Sequence, residues 1–307
     1  MTGRAPTVED APAIAALFSR LAEAGGAGWA SADEVRSWLT QPGVDLEDFR
    51  VFERDGDLVA YADVYLTTGS DRAWFDLRVP PEPPLADEAL AWAEGRARGH
   101  GRPVARIAVE AGSLLGEIVE RRGYRPIRHS FRMRIDLDEP PPEPEWPDGI
   151  VVREAAPAED RAVYEATTEA FLDHWEFTVE PFERWLHELS TRAGRTWFVA
   201  VAGDEIAGVC LCSENERDAG RRTGWVDELG VRPPWRRRGL GRALLLHAFH
   251  VFRARGLPAV GLGVDGESTT GAVRLYERAG MRVAGRRDTY ERRLDSRRSI
   301  PNCRGGA

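Results

Sequence analysis

The segment Val231-Arg232-Pro233-Pro234-Trp235-Arg236-Arg237-Arg238-Gly239-Leu240-Gly241-Arg242-Ala243 has the residue types of an anion-binding helix start. The unpaired backbone N–H groups and positive dipole end of a helix favour a phosphate there. Gly239 and Gly241 remove side chains from the approach, and Arg236, Arg237 and Arg238 add positive charge, so a diphosphate-bearing guest is expected. A Rossmann fingerprint needs a third glycine three residues after the second, and position 244 is leucine. No Gly-Lys-Ser/Thr follows, which excludes a P-loop.

These residues need a strand before them and an amphipathic helix after them, and the sequence supplies both. Trp225–Val231 reads as a strand, and Gly239–Arg255 as a helix with Leu240, Leu244, Leu245, Ala248 and Val251 on one stripe. Upstream, Ile150–Arg153 reads as a strand, with helical patterns through Glu159–Phe171 and Pro181–Leu189. Thr196–Val201 and Ile206–Ser213 form a hairpin across Ala202-Gly203-Asp204-Glu205. Downstream come a strand at Ala259–Val264, a helix at Thr270–Ala279 and a last strand around Arg286–Arg292.

The first half repeats this order more faintly. Strands are expected at Phe49–Arg54, Leu58–Leu66, Trp74–Val79 and Val104–Val109, with a helix at Asp87–Arg98. Glu120-Arg121-Arg122-Gly123-Tyr124 is echoed roughly 157 residues further on by Glu277-Arg278-Ala279-Gly280-Met281, which suggests duplication of one α/β unit. A proline-dense stretch, Pro140–Gly149, favours an extended connector between the two. The expected organisation is residues 1–139, a linker at 140–149, a second domain at 150–294 and a flexible tail at 295–307.

Arg236-x-x-Gly239-x-Gly241, after a strand ending Glu-Leu-Gly-Val and before a leucine-rich helix, resembles the CoA pyrophosphate loop of the GNAT acyltransferase superfamily. A second element, Thr269-Thr270-Gly271-Ala272-Val273-Arg274-Leu275-Tyr276-Glu277-Arg278-Ala279-Gly280-Met281, resembles that family's Asn-x-x-Ala-x-x-Leu-Tyr-Glu-x-x-Gly-Phe, with Thr269 for Asn and Met281 for the aromatic. The resemblance covers residues 150–292 well and the first half in outline. It implies an α/β (α+β) fold of two tandem GNAT-like domains, each a mixed twisted sheet flanked by helices. The tandem arrangement resembles that of mycothiol synthases and their relatives.

The implied activity is transfer of an acetyl group from acetyl-CoA to a primary amine of a small molecule, with no metal. Alternatives are acetylation of a protein amine and a CoA-binding module without turnover. The resemblance implies that Leu229, Gly230 and Val231 accompany the pantetheine arm and that Arg236–Arg242 and Thr269 serve the donor. Tyr276 is the implied acid for the leaving thiolate. An amine attacks only as the free base, so a proton acceptor is needed, and Asp227 and Glu228 are the candidates. Strand alternation sets these two on opposite faces unless a bulge intervenes, and Asp227 shares parity with position 225, where some family members carry Glu. Phe171, Asp173, His174 and Trp175 form an aromatic and acidic cluster suited to a cationic acceptor.

At the equivalent of the phosphate loop the first half reads Leu77-Arg78-Val79-Pro80-Pro81-Glu82-Pro83-Pro84, and Val119 stands where Tyr276 stands. That half is expected to have lost donor binding. The net charge of −8 argues against a general nucleic-acid binder. No run of about 18 apolar residues offers a membrane span, and no signal peptide is recognised, so a cytoplasmic monomer or homodimer is expected. Cys210 and Cys212 share one face of an apolar strand with no further ligands in sight, and read as buried small hydrophobes.

Overall fold

The computed structural model describes residues 2–23, 29–67, 69–218, 221–268 and 270–294. The expected tail at 295–307 and Thr269 lie outside these residues. Twelve strands form one sheet: β1 (Thr2–Arg4), β2 (Phe49–Arg54), β3 (Asp57–Leu66), β4 (Arg72–Arg78), β5 (Val104–Glu110), β6 (Arg125–Asp136), β7 (Ile150–Glu154), β8 (Thr196–Ala202), β9 (Glu205–Asp218), β10 (Arg221–Val231), β11 (Ala259–Asp265) and β12 (Arg282–Arg293). The helices are α1 (Ala11–Glu23), α2 (Ala32–Leu39), α3 (Pro83–Gly99), α4 (Leu114–Arg121), α5 (Asp160–Phe171), α6 (Phe182–Ser190), α7 (Leu240–Ala254) and α8 (Ala272–Arg278).

Each half sandwiches its part of the sheet between two helix pairs. In the first half, α1 and α2 pack with Val51, Leu58 and Tyr61 on one face. Leu85, Leu90 and Val119 of α3 and α4 pack with Phe75 and Ile107 on the other. The second half repeats the plan, with α5 and α6 around Trp197, Val199 and Leu211 and with α7 and α8 around Phe198, Val260 and Leu262. Strands covered on both faces need apolar residues at consecutive positions, which is how Thr196–Ala200 reads and how it is buried.

The duplication extends to the helix ends. Gly123 (φ +87) and Gly280 (φ +96) take the left-handed conformation that stops α4 and α8. The amides of Tyr124 and Met281 then bond back to the carbonyls of Val119 and Tyr276 at 3.1 and 3.0 Å. Both following side chains are buried.

The halves are joined by an exchange of strands. The sheet order is β1-β2-β3-β4-β5-β12-β6-β11-β10-β9-β8-β7, so β12 pairs with β5 and β6 while β6 pairs with β12 and β11. Tyr290 and Leu294 therefore pack in the first-half core, and Met133 and Leu137 in that of the second half. The strand β6 is one the sequence reading lacks. Its alternation is present in Ile127, Phe131, Met133 and Ile135, but arginines at 125, 128, 132 and 134 mask it. Residues 140–149 carry neither helix nor strand. Among the described residues, no helix is long and apolar enough to cross a membrane.

Candidate functional site

The site is built where two parallel strands part. Strands β10 and β11 are in register only from Gly224↔Val260 to Val226↔Leu262, and β10 then runs on to Val231 without β11 beside it. Such a wedge, at the carboxyl end of parallel strands, is a natural ligand crevice. Trp225 fills the closed end: a Cβ on Gly261 would come within 2.6 Å of its indole ring. Gly230 is equally confined, since a Cβ there would meet Ala170 at 2.9 Å and Phe171 at 3.2 Å.

Beyond Val231 the chain turns through Pro233–Trp235 and enters α7 at Gly239, whose φ of +84 suits glycine. Nothing of the protein lies within 4 Å of where a Gly239 Cβ would stand, so the helix start opens outward. Arg237 holds φ +61, an unfavourable value for a non-glycine residue that recurs at ligand clamps. Arg237 and Arg238 are exposed, whereas Arg236 is engaged with protein. Its Nε donates to the Val231 carbonyl at 3.0 Å, its Nη2 to the Ala170 carbonyl at 3.0 Å, and its Nη1 to Asp173 at 2.5 Å. Arg236 thus ties the loop to the end of α5. Leu240 is core, and Leu229 and Val231 pack against that core half-buried. At Gly241 a Cβ would make an ordinary contact with Leu275 of α8 at 3.4 Å.

A cavity of about 240 Å³ lies beside the β10 end of the wedge, lined by Tyr164 and Thr167 of α5, Trp185, Glu188 and Arg192, and Asp227 and Glu228 of β10. The expected alternation of Asp227 and Glu228 does not hold. Register against β9 shifts between Val226↔Cys212 and Glu228↔Leu211, leaving Asp227 as the extra residue of a bulge, and both carboxylates line the same cavity. Their environments differ. Asp227 is ion-paired with Arg192, which also donates to Glu188 at 2.7 Å. Glu228 accepts from Trp185 Nε1 at 3.4 Å, and burial raises its carboxyl to about 7, with Glu188 and Asp227 adding repulsion. Of the two, Glu228 is poised to exchange a proton near neutrality.

Tyr276 is buried on α8, and desolvation raises its hydroxyl to about 12, so it stays protonated at neutral pH. The segment assigned to the acceptor is engaged differently from expectation. Asp173 is bound to Arg236, and Arg236 holds its carboxyl below the usual range. The rings of Phe171 and His174 meet tilted, 4.5 Å between centroids, and burial lowers the pKa of His174. Trp175 lies between two arginines of the first half. None of Phe171, Asp173, His174 and Trp175 lines the cavity, whereas Phe177 further along the same connection does. The cavity residues Trp185, Glu188 and Leu189 share one face of α6 at i, i+3 and i+4, a spacing visible in the sequence, whereas Arg192 lies beyond the helix end. Among the described residues, no group of three or more His, Cys, Asp and Glu is arranged to hold a metal.

A parallel strand pair splayed beside a glycine-bearing helix start defines the GNAT class of acyltransferase fold. The model of the Acetyltransferase (GNAT) family matches residues 161–281. A mycothiol acetyltransferase of Salinispora arenicola is 30% identical over 307 residues, covering 92% of this chain and 94% of that protein. The mycothiol acetyltransferase of Nocardia farcinica is 30% identical, over 90% and 92% of the two chains. A GCN5-related N-acetyltransferase from Sphaerobacter thermophilus superposes with a TM-score of 0.72 at 37% identity, covering 96% of both chains. A tandem GNAT protein from the clavulanic acid biosynthesis pathway has the same fold, with a TM-score of 0.74 at 17% identity over 96% and 99% of the chains. The chain belongs to the GNAT acetyltransferase family and is an N-acetyltransferase of tandem architecture.

Proposed function

We propose that the second half transfers the acetyl group of acetyl-CoA to a primary amine of a small molecule by direct attack. The observation that carries this reading is Glu228, a deeply set carboxylate with a near-neutral proton affinity, in a cavity at the open end of the β10–β11 wedge. The donor fits the same place. Gly239 and Gly241 clear the helix start for a pyrophosphate, with Arg237, Arg238 and Arg242 beside it. The stretch Leu229-Gly230-Val231, free of β11, offers backbone to a pantetheine arm. Arg236 supports the loop rather than the phosphate.

In the reaction, the amine nitrogen attacks the thioester carbonyl carbon, its proton passes to Glu228, and the carbon–sulfur bond breaks. The departing thiolate takes the hydroxyl proton of Tyr276. Asp227 and Arg192 hold the bulge that turns Glu228 inward, and Glu180 and Glu188 make the cavity favour a cation over an anion.

The first half is inferred to have no donor site. Glu82 and Pro83 stand at the start of α3 where phosphate-binding amides are needed, and Arg54 is paired with Glu82. The curated relatives favour one acceptor class, the amine precursor of mycothiol, as a special case. The test is mass spectrometry of acetyl-CoA reactions with an amine panel that includes a cysteinyl pseudodisaccharide. Acetylated product on a small amine is the expected result. Donor binding without product on any amine overturns transfer in favour of a CoA-binding module, and acetylation confined to peptides favours a protein acceptor.

A further inference from the structure

Residues 172–181 connect α5 to α6 and wall the cavity through Phe177, Thr178 and Glu180. The fixed points of this connection lie in the other half of the molecule. The ring of Trp175 lies 5.0 Å from the guanidinium of Arg106 on β5 and 4.4 Å from that of Arg128 on β6. Glu176, the next residue, is held at φ +50, a conformation a glutamate adopts only when its surroundings impose it. Its carboxylate is ion-paired with Arg106 and lies 3.2 Å from Arg72 of β4. At the far end, Tyr65 of β3 donates to Glu180, and Arg184 covers the Tyr65 ring at 4.5 Å.

Arg106 is the centre of this arrangement. Its side chain is 4% exposed, its Nε donates to Glu291 of β12 at 2.7 Å, and Trp74 lies 5.5 Å beneath it. A guanidinium this deep is tolerated only with well-formed partners, and one of the two carboxylates it uses, Glu176, directly precedes the residues that wall the cavity of the second half. The strands β5 and β12 that fix it are paired to each other, so the anchor is part of the exchanged sheet.

We propose that Arg106 is a positioning residue for the acceptor: the first half sets the acceptor-side wall of the active site by gripping Trp175 and Glu176 through it. The donor side is built on β10 and α7 and meets this connection through the Arg236–Asp173 pair, upstream of the grip on Trp175 and Glu176. The inference rests on the acetyltransferase reading for its kinetic arm and on the structure alone for its exchange arm.

The test compares wild type with Arg106→Lys, which keeps the charge but loses the fork, and with Glu176→Gln, whose side chain is one-third exposed and whose amide oxygen can still accept from Arg106. Hydrogen–deuterium exchange is followed in peptides spanning 172–181, without substrate, and steady-state constants are measured for an amine and for acetyl-CoA. Faster exchange confined to this segment, with the amine KM raised by about tenfold or more and the acetyl-CoA KM unchanged, is the expected result. Unchanged exchange in both variants overturns the anchor whatever the acceptor proves to be. Faster exchange with an unchanged amine KM overturns the positioning role. Failure to find any amine substrate counts against the function proposed above, and the exchange experiment still decides the anchor.

Discussion

Glu228 accepts the indole N–H of Trp185 at 3.4 Å, while its chain neighbour Asp227 is paired with Arg192 in the same cavity. The bulge makes this possible, since without it one of the two would face the opposite side of β10. The ion pair occupies the carboxylate of Asp227, and in the function proposed above Glu228 takes the amine proton. Glu228→Gln is expected to lower kcat by about 10²–10⁴-fold with acetyl-CoA affinity unchanged, as measured by steady-state kinetics and calorimetry. In wild type, kcat/KM should rise with pH through a limb near 7, where Glu228 ionises, and the variant should lack that limb. Retention of the limb in Glu228→Gln would assign it to another group.

The same carboxyl has a consequence for stability. Its folded value is raised to about 7 from an ordinary 4.5, so the unfolded chain ionises it first. The contribution is fully present below about 4.5, declines as pH rises, and is lost once pH passes 7. Glu228→Gln keeps an acceptor for Trp185 and removes the titration. It should therefore match wild type near pH 4 and exceed it at pH 8 by up to about 3 kcal/mol, read from denaturant unfolding at both values. An equal difference at the two pH values would mean that Glu228 is not held against its charge.

The two glycines of the helix start separate backbone strain from ligand clearance. Gly239 has φ +84, so Gly239→Ala should cost about 1–2 kcal/mol of stability as well as donor affinity. At Gly241 a Cβ would make ordinary contacts, 3.4 Å to Leu275 and 3.5 Å to Val231. Gly241→Ala should therefore keep its Tm and still bind acetyl-CoA about tenfold more weakly, with one site per chain in wild type by calorimetric titration. Full affinity in Gly241→Ala would remove the donor from this loop.

Much of this was legible in the sequence because it depends on local chemistry. Glycines beside arginines at a strand-to-helix turn, and the apolar stripe after them, identify the loop of α7 without tertiary information. The duplication was legible at Gly123 and Gly280 because a helix stop of this kind favours glycine. The bulge at Asp227 was only half legible: the adjacent polar pair in Val-Asp-Glu-Leu breaks the alternation, but a broken alternation marks a strand end as readily as a one-residue shift. The partners of Arg236 were illegible for a related reason: an arginine beside a phosphate loop looks the same in sequence whether it faces a ligand or Asp173. Trp175 looked like an acceptor ligand because its partners, Arg106 and Arg128, lie in the other half of the chain. Pairing β12 with β5 is likewise a choice between edges that alternation alone leaves open.

Strand exchange makes the two halves interdependent, and this can be tested directly. A polypeptide of residues 140–307 retains the loop, Glu228 and Tyr276, but lacks β6, so β11 loses its neighbour and the core loses Met133 and Leu137. Its own β12 would project with Tyr290 and Leu294 deprived of the first-half core. Residues 1–139 alone would leave the β5 edge and both edges of β6 unpaired, an aggregation-prone condition. Each fragment expressed alone should be insoluble or lack a cooperative thermal transition by circular dichroism. Co-expression should recover a soluble one-to-one complex that binds acetyl-CoA. A second half that unfolds cooperatively as an isolated monomer with wild-type acetyl-CoA affinity would show that its core closes without β6, and the exchange would then be a matter of packing rather than of folding.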